Sequence, residues 1–210
     1  MSDHTKDYDS ERRGLLIATS AVGGIAVAAT AVPFVASLLP SERAKAIGAP
    51  VVADVSKLAP GEKMVVKWRG KPVWILRRTP EMLAALGTID DKLSDPKSEK
   101  SDQPSYTMPE KTESEDKKKR AIKEEFLVVI GICTHLGCSP SDKLKPGNAE
   151  GMLEDWVGGF LCPCHGSLFD LAGRVFKNQP APTNLDIPPH RYLSDTAILI
   201  GEDSTDSKGA

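Results

Sequence analysis

Phe126-Leu127-Val128-Val129-Ile130-Gly131-Ile132 is an uninterrupted apolar run of strand length, and it leads directly into Cys133-Thr134-His135-Leu136-Gly137-Cys138. A second short apolar stretch, Trp156 to Leu161, leads in the same way into Cys162-Pro163-Cys164-His165-Gly166-Ser167. Short apolar runs rich in β-branched and aromatic residues read as buried strands. Two loops therefore present cysteine and histidine from the ends of two strands, in the patterns C-x-H-x2-C and C-P-C-H-G-S. All four cysteines of the chain fall within these 32 residues. A disulfide-stapled miniprotein would spread them, so the clustering points to one local site.

Outward from the two boxes, 210 residues allow one or two domains and a real core. With 40% hydrophobic and 27% charged residues and a formal net charge of -2, the composition is that of a soluble domain and offers no electrostatic case for nucleic acid. Val51 to Val55 is β-rich. Met64, Val66 and Trp68 alternate with Lys63, Val65 and Lys67 before a turn at Gly70 and a second run, Val73 to Leu76, which predicts a hairpin. Thr79-Pro80-Glu81 predicts a helix start and Gly87 its stop. Gly158 and Gly159 predict close backbone approach, and Gly173 the turn of a hairpin from Leu168 to Phe176. Trp68, Trp74 and Trp156 read as packing residues, and His4 and His190 as a tail residue and a surface residue outside the site. Lys111 to Glu125 carries 11 charges in 15 positions. Its pairs Glu113 with Lys117, Glu115 with Lys119 and Asp116 with Arg120 predict a solvated surface helix. No internal repeat is evident.

At the amino-terminal end, Gly14 to Leu39 are 26 residues without a charge, enough as a helix to cross a bilayer core with some tilt. Arg12-Arg13 ahead of this mildly apolar run looks like a twin-arginine export signal, used for proteins exported already folded. Ala44-Lys45-Ala46 has the form of a cleavage site, but the apolar run exceeds a signal peptide's, so an uncleaved anchor is expected. Positive charges flank both ends, so orientation must come from the chemistry of the domain beyond the anchor.

Six candidate ligands narrow the metal. Structural zinc uses four thiolates and imidazoles, usually in knuckles, and here two cysteines would be left over. A blue-copper site needs one thiolate only. In a Rieske centre two cysteines hold one iron and two histidines the other, with the remaining pair free for a disulfide, which uses every cysteine.

CTHLGC and CPCHGS resemble the boxes of Rieske iron-sulfur proteins, and the surplus cysteines place the chain with the disulfide-containing kind of quinol-oxidising complexes. The Arg12-Arg13 anchor, the short hinge, the loop Gln179-Pro180-Ala181-Pro182 with Asn184-Leu185, and the ending Tyr192-Leu193-Ser194-Asp195 are similar to the iron-sulfur subunit of bacterial cytochrome bc1 complexes. The resemblance implies a mainly β fold, a Rieske-type antiparallel β-sandwich with a cluster-binding subdomain, tethered to one transmembrane helix. It implies one [2Fe-2S] cluster, with Cys133 and Cys162 on the buried iron, His135 and His165 on the outer one, and Cys138 bonded to Cys164. Leu136 would shield the cluster, and Ser167 would hydrogen-bond a bridging sulfide. Phe169 departs from the tyrosine of many respiratory members, which implies a lower potential.

The implied organisation is a cytoplasmic segment with the export signal (1–13), a transmembrane anchor (14–39), a hinge linker (40–50), a periplasmic Rieske domain (51–201) and a flexible tail (202–210). Within the domain lie a cluster-binding subdomain near 131–182 and a charged insertion near 105–125. The implied activity is that of a quinol-cytochrome c reductase subunit, catalytic and proton-translocating. The histidines take an electron and a proton from ubiquinol, and the electron passes to cytochrome c1. Cytochrome b, cytochrome c1, ubiquinol and membrane lipid are the implied partners, within a dimeric complex of the inner membrane. A disulfide needs an oxidising compartment, which puts the domain on the periplasmic side. Other readings are the Rieske subunit of another periplasmic oxidoreductase, of arsenite-oxidase type, and a zinc-binding export protein. A Rieske oxygenase is disfavoured, since 45 residues after His165 leave no room for its catalytic domain.

Overall fold

A computed structural model describes residues 4–101, 104, 107, 120–147 and 152–203, in two units, Met1–Ala46 and Ile47–Ala210. The first is dominated by helix α1 (His4–Ser37), which runs unbroken through Gly23, Gly24 and Pro33. It contains a stretch long and apolar enough to cross a membrane, with mean hydropathy 2.1 over its most apolar 18 residues. Its apolar side chains, among them Leu15, Ile25 and Phe34, are exposed. Its hydroxyls bond internally, Thr19 to the Leu15 carbonyl at 2.7 Å and Thr30 to that of Ala26 at 2.8 Å, as hydrocarbon surroundings require. The stretch expected as a plain linker contains a short helix, α2 (Glu42–Gly48). Ser41 caps it, its Oγ accepting from the Ala44 N–H at 3.2 Å, and Ala44 and Ala46 favour the helical backbone.

Among its described residues the second unit is built from antiparallel strands in three three-stranded sheets. β1 (Val51–Asp54) is followed by the hairpin of β2 (Lys63–Trp68) and β3 (Lys71–Arg77). Its two-residue turn is Arg69-Gly70, both at positive φ, the geometry that matches strand twist. Helix α3 (Pro80–Ala85) starts where predicted, with Thr79 Oγ1 accepting from the Met82 N–H. β4 (Phe126–Ile130) pairs with β3; β5 (Ser141–Lys143), β6 (Gly159–Leu161) and β7 (Leu168–Asp170) form the second sheet. β8 (His190–Tyr192) and β9 (Ala197–Ile200) close the third with β1.

The sheet β2-β3-β4 lies between two cores. Val73 and Ile75 of β3 and Phe126 and Val128 of β4 pack with Ala53, Ile198 and Ile200 of the β1-β9-β8 sheet. The alternate residues Trp74, Leu76, Leu127 and Val129 pack on the other side with Phe160, Phe169, Cys133 and Cys162. Burial of both faces explains why β4 reads as a continuous apolar run. The three tryptophans are buried, as expected.

Two expectations are corrected. His190 is 1% exposed, not a surface residue: it faces inward from β8 and bonds through Nδ1–H to the Pro188 carbonyl at 2.8 Å. Arg120, paired with Asp116 in a solvated helix by spacing, is fully buried, and 120–125 is not helical. The rest of that predicted helix, and most of the tail, lie outside the described residues.

Burial holds the His190 imidazole below its ordinary pKa, against the Pro188 carbonyl, which favours the charged form. The folded protein therefore binds this proton less readily than the unfolded chain. The stabilisation is complete above the unfolded value of about 6.5 and is lost as pH falls through it toward the lower folded value. Urea titrations between pH 7 and 5 should show stability falling, with the slope reduced in His190→Gln; an unchanged slope would remove His190 as its source.

Candidate metal centre

Each cysteine-histidine box is a loop closed at its foot by its own backbone. In the first, the Cys133 N–H donates to the Cys138 carbonyl at 2.7 Å, and the Gly137 N–H to the Cys133 carbonyl at 3.1 Å. The second repeats both bonds at the same offsets, Cys162 N–H to the Ser167 carbonyl at 2.8 Å and Gly166 N–H to the Cys162 carbonyl at 2.9 Å. Gly137 and Gly166, fifth in each box, have φ of +81° and +78°, which admits the turn without a Cβ penalty. The chain thus does contain a local repeat, one of backbone geometry with too few shared residue types to be seen as sequence.

The loops meet side by side. Cys133 and Cys162 are free and buried at 2% exposure each, and Cys138 and Cys164 are joined in a disulfide across 26 positions. The sulfurs of Cys138, Cys162 and Cys164 lie within 4.8 Å of one another. Two of these are spent on the disulfide, so the group is a cross-link beside one thiol rather than a three-thiolate site. The His135 and His165 rings are 4.7 Å apart, crossing at 82°. His135 Nδ1 is buried and has no hydrogen-bond partner, an uncompensated loss unless that nitrogen binds something else. Two buried thiols and a paired set of imidazoles with one inward orphan nitrogen fit the donor set of a Rieske [2Fe-2S] cluster.

Neighbours of the boxes adjust this donor set. Burial pushes the Cys133 thiol up, while the His135 N–H and the Ser167 hydroxyl work the other way. Ser167 is fully buried, and its Oγ accepts from the Ala181 N–H at 3.0 Å, so its own proton is left for a sulfur. Leu136, next to His135 in the chain, is 71% exposed, so it does not serve loop packing. Gly159 brings β6 against β7, where a Cβ would stand 2.0 Å from the Phe169 carbonyl oxygen; Gly158 approaches the Leu144 carbonyl similarly. Gly131, two residues before Cys133, lies against the Trp74 indole, and Trp74 stacks on Phe160, two residues before Cys162. Both loops are therefore rooted on one aromatic pair.

Several positioning groups carry no sequence signal. Thr134 Oγ1 donates to the Thr183 carbonyl at 2.7 Å, tying the first box to the 179–185 segment. Arg78, Arg120 and Arg174 are buried; the first two donate to the carbonyls of Leu171 to Gly173, and Arg174 to those of Leu86 and Pro96. Arg174 also pairs with buried Asp170 at 2.8 Å. Burial lowers Arg78 and Arg120 to about 10, which leaves both charged at neutral pH. Arginine normally marks a surface, and only the packed fold shows otherwise.

Phe169 is fully buried on β7 beside Phe160. Phe169→Tyr places a hydroxyl donor in the core around the two free thiols. One such bond to the reduced state is worth about 1 kcal/mol, or roughly 40 mV for a one-electron couple at about 59 mV per tenfold. A redox titration should show the potential rising by this order; an unchanged or lower value would refute it.

The chain has matches among known families, relatives and solved structures. Residues 1–41 match the family described as ubiquitinol-cytochrome C reductase Fe-S subunit TAT signal, and residues 108–189 the Rieske [2Fe-2S] domain. The ubiquinol-cytochrome c reductase iron-sulfur subunit of Allochromatium vinosum is 59% identical over 192 residues, covering 91% of this chain and 88% of that one. The subunit of the same name from Bradyrhizobium diazoefficiens is 37% identical over 196 residues, covering 93% and 96%. A chain of a hyperthermophilic respiratory Complex III aligns with 87% of this chain and 97% of its own, at 26% identity and a TM-score of 0.45.

Proposed function

The chain belongs to the family of ubiquinol-cytochrome c reductase iron-sulfur subunits, and from that premise we propose that it is the Rieske subunit of a respiratory cytochrome bc1 complex. Its cofactor is one Rieske-type [2Fe-2S] cluster. When bound, the cluster would supply a one-electron acceptor for one of the two electrons of ubiquinol, on the route to cytochrome c1.

In this reading Cys133 and Cys162 hold the buried iron, and His135 and His165 the outer one. The observation that carries it is the histidine pair, its rings 4.7 Å apart with His135 Nδ1 buried and unpartnered. An imidazole bound through Nδ1 keeps Nε2 for the quinol hydroxyl, so a proton leaves with the electron to a ring nitrogen. Cytochrome b supplies the rest of that pocket. Leu136, apolar and exposed beside His135, excludes water from it on docking.

The disulfide supports a placement. A structural cross-link such as Cys138–Cys164 favours an oxidising compartment, and in this reading the head is periplasmic, the anchor α1 crosses the inner membrane, and quinol protons leave on the periplasmic side. Protease added to spheroplasts should remove the head; full protection would reverse the orientation. Residues 40–50 with α2 form the hinge that carries the head between cytochromes. Prolines at Ala44 and Ala46 should slow turnover several-fold with the cluster spectrum intact, and undiminished turnover would exclude a moving head.

The reading as a whole is tested by purifying the complex from membranes and recording electron paramagnetic resonance (EPR) and haem spectra together. A rhombic signal on reduction, with b- and c-type haem in the same particle, is expected. Zinc in place of iron, or a cluster without both haems, would overturn it.

A further inference from the structure

Ser101, ahead of the charge-rich stretch, and Arg120, within it, have side chains that reach adjacent positions of one distant segment. On the amino-terminal side of that stretch Ser101, 7% exposed, accepts at Oγ from the Asn184 N–H at 3.0 Å and donates to Asp95 Oδ2 at 2.7 Å. From within the stretch the buried Arg120 guanidinium donates to the Leu185 carbonyl at 2.7 Å and to those of Ala172 and Gly173 at 3.0 and 3.2 Å. Asn184 is held further: its Nδ2 donates to the Asp95 carbonyl and Ser98 Oγ, and its Oδ1 accepts from the Val175 N–H.

Asn184 and Leu185 end the segment that begins at Gln179. Pro180 and Pro182 have no N–H, so this segment cannot be fastened as a strand would be. It is attached instead by single bonds. Gln179 Oε1 accepts from the Leu168 N–H, the Ala181 N–H donates to Ser167 Oγ, and the Thr183 carbonyl accepts from Thr134 Oγ1. Two of those bonds end on residues inside the ligand boxes. The anchor points of the segment therefore decide where the Ala181 N–H stands, and with it which way the Ser167 hydroxyl can turn.

We propose that Ser101 and Arg120 are positioning residues that clamp the end of the 179–185 segment, hold the Ser167 hydroxyl toward the ligand sulfurs, and thereby raise the reduction potential of the centre. The inference rests on the Rieske reading above. It assigns the effect to bonding geometry rather than to charge. Arginine spans carbonyls of two separate segments because its planar guanidinium donates in several directions at once, which the compact ammonium of lysine cannot do.

Arg120→Lys, Arg120→Gln and Ser101→Ala, each in the purified complex, separate these terms. Redox-titrated EPR should show the ratio of oxidised to reduced centre, at fixed ambient potential, displaced about three- to tenfold toward oxidised in both Arg120 variants. That is a fall of roughly 30 to 60 mV. Ser101→Ala should move it the same way by less, and it decides the matter if the Arg120 variants fail to assemble. Unchanged potentials in Arg120→Lys and Ser101→Ala overturn the inference, as does a shift confined to Arg120→Gln, which would make the cation's charge the cause. A wild-type complex without the rhombic signal refutes the Rieske reading itself, whereas a normal signal with unshifted variants refutes only the clamp.

Discussion

Replacing Cys138 and Cys164 together by alanine should destabilise the head by about 3 to 4 kcal/mol, since the cross-link spans 26 positions and removes that much chain entropy from the unfolded state. For a domain of this size the melting temperature should fall by roughly 10 °C. The larger consequence is local. Each box is closed at its own foot by backbone bonds, and the disulfide is the covalent join between the two loops beside Cys162, so without it the histidine rings are held less firmly to one another. Iron content per purified chain should drop before the fold does. Calorimetry and iron analysis on the same preparation check this, and full iron occupancy with a loss of only a degree or two would show that the cross-link serves neither purpose.

Gly159→Ala should be at least as damaging, at about 3 kcal/mol or more, because two penalties add. A φ of +151° is close to forbidden for a residue with a side chain. The new Cβ would also lie 2.0 Å from the Phe169 carbonyl oxygen and within 3.0 Å of other backbone atoms of Phe169 and Asp170. Backbone cannot rotate aside as a side chain can, so the β6–β7 pairing must separate where it supports the second cysteine-histidine box. Reduced yield of cluster-containing protein and a broadened, lowered melting transition are expected. Gly166→Ala is the comparison: it also has positive φ, but nothing lies within 4 Å of its Cβ, so it should cost only the backbone strain. Equal effects of the two would show that crowding at Gly159 is not the cause.

Legibility from sequence followed the range of the physics. The β2–β3 hairpin, the Thr79 cap and the Gly173 turn depend on neighbouring residues and read correctly. So did β4, whose apolar run reflects burial on both faces. His190 and Arg120 read wrongly because a polar residue has no local mark of burial. Its tolerance inside the fold depends on partners such as the Pro188 and Leu185 carbonyls. The α2 helix was passed over because seven residues in a polar context carry little periodicity.

The sequence alone determined the kind of chemistry: two boxes of cysteine and histidine at strand ends, a charge-free anchor and an export signal, all patterns within a few residues of each other. The tertiary structure decided how those pieces meet. It brought Cys138 to Cys164, crossed His135 with His165, rooted both loops on Trp74 and Phe160, and fastened a proline-containing segment over Ser167 through Ser101 and Arg120. Short-range order is written in adjacent residues. Contacts between distant ones depend on how three sheets stack, and only the folded chain holds that information.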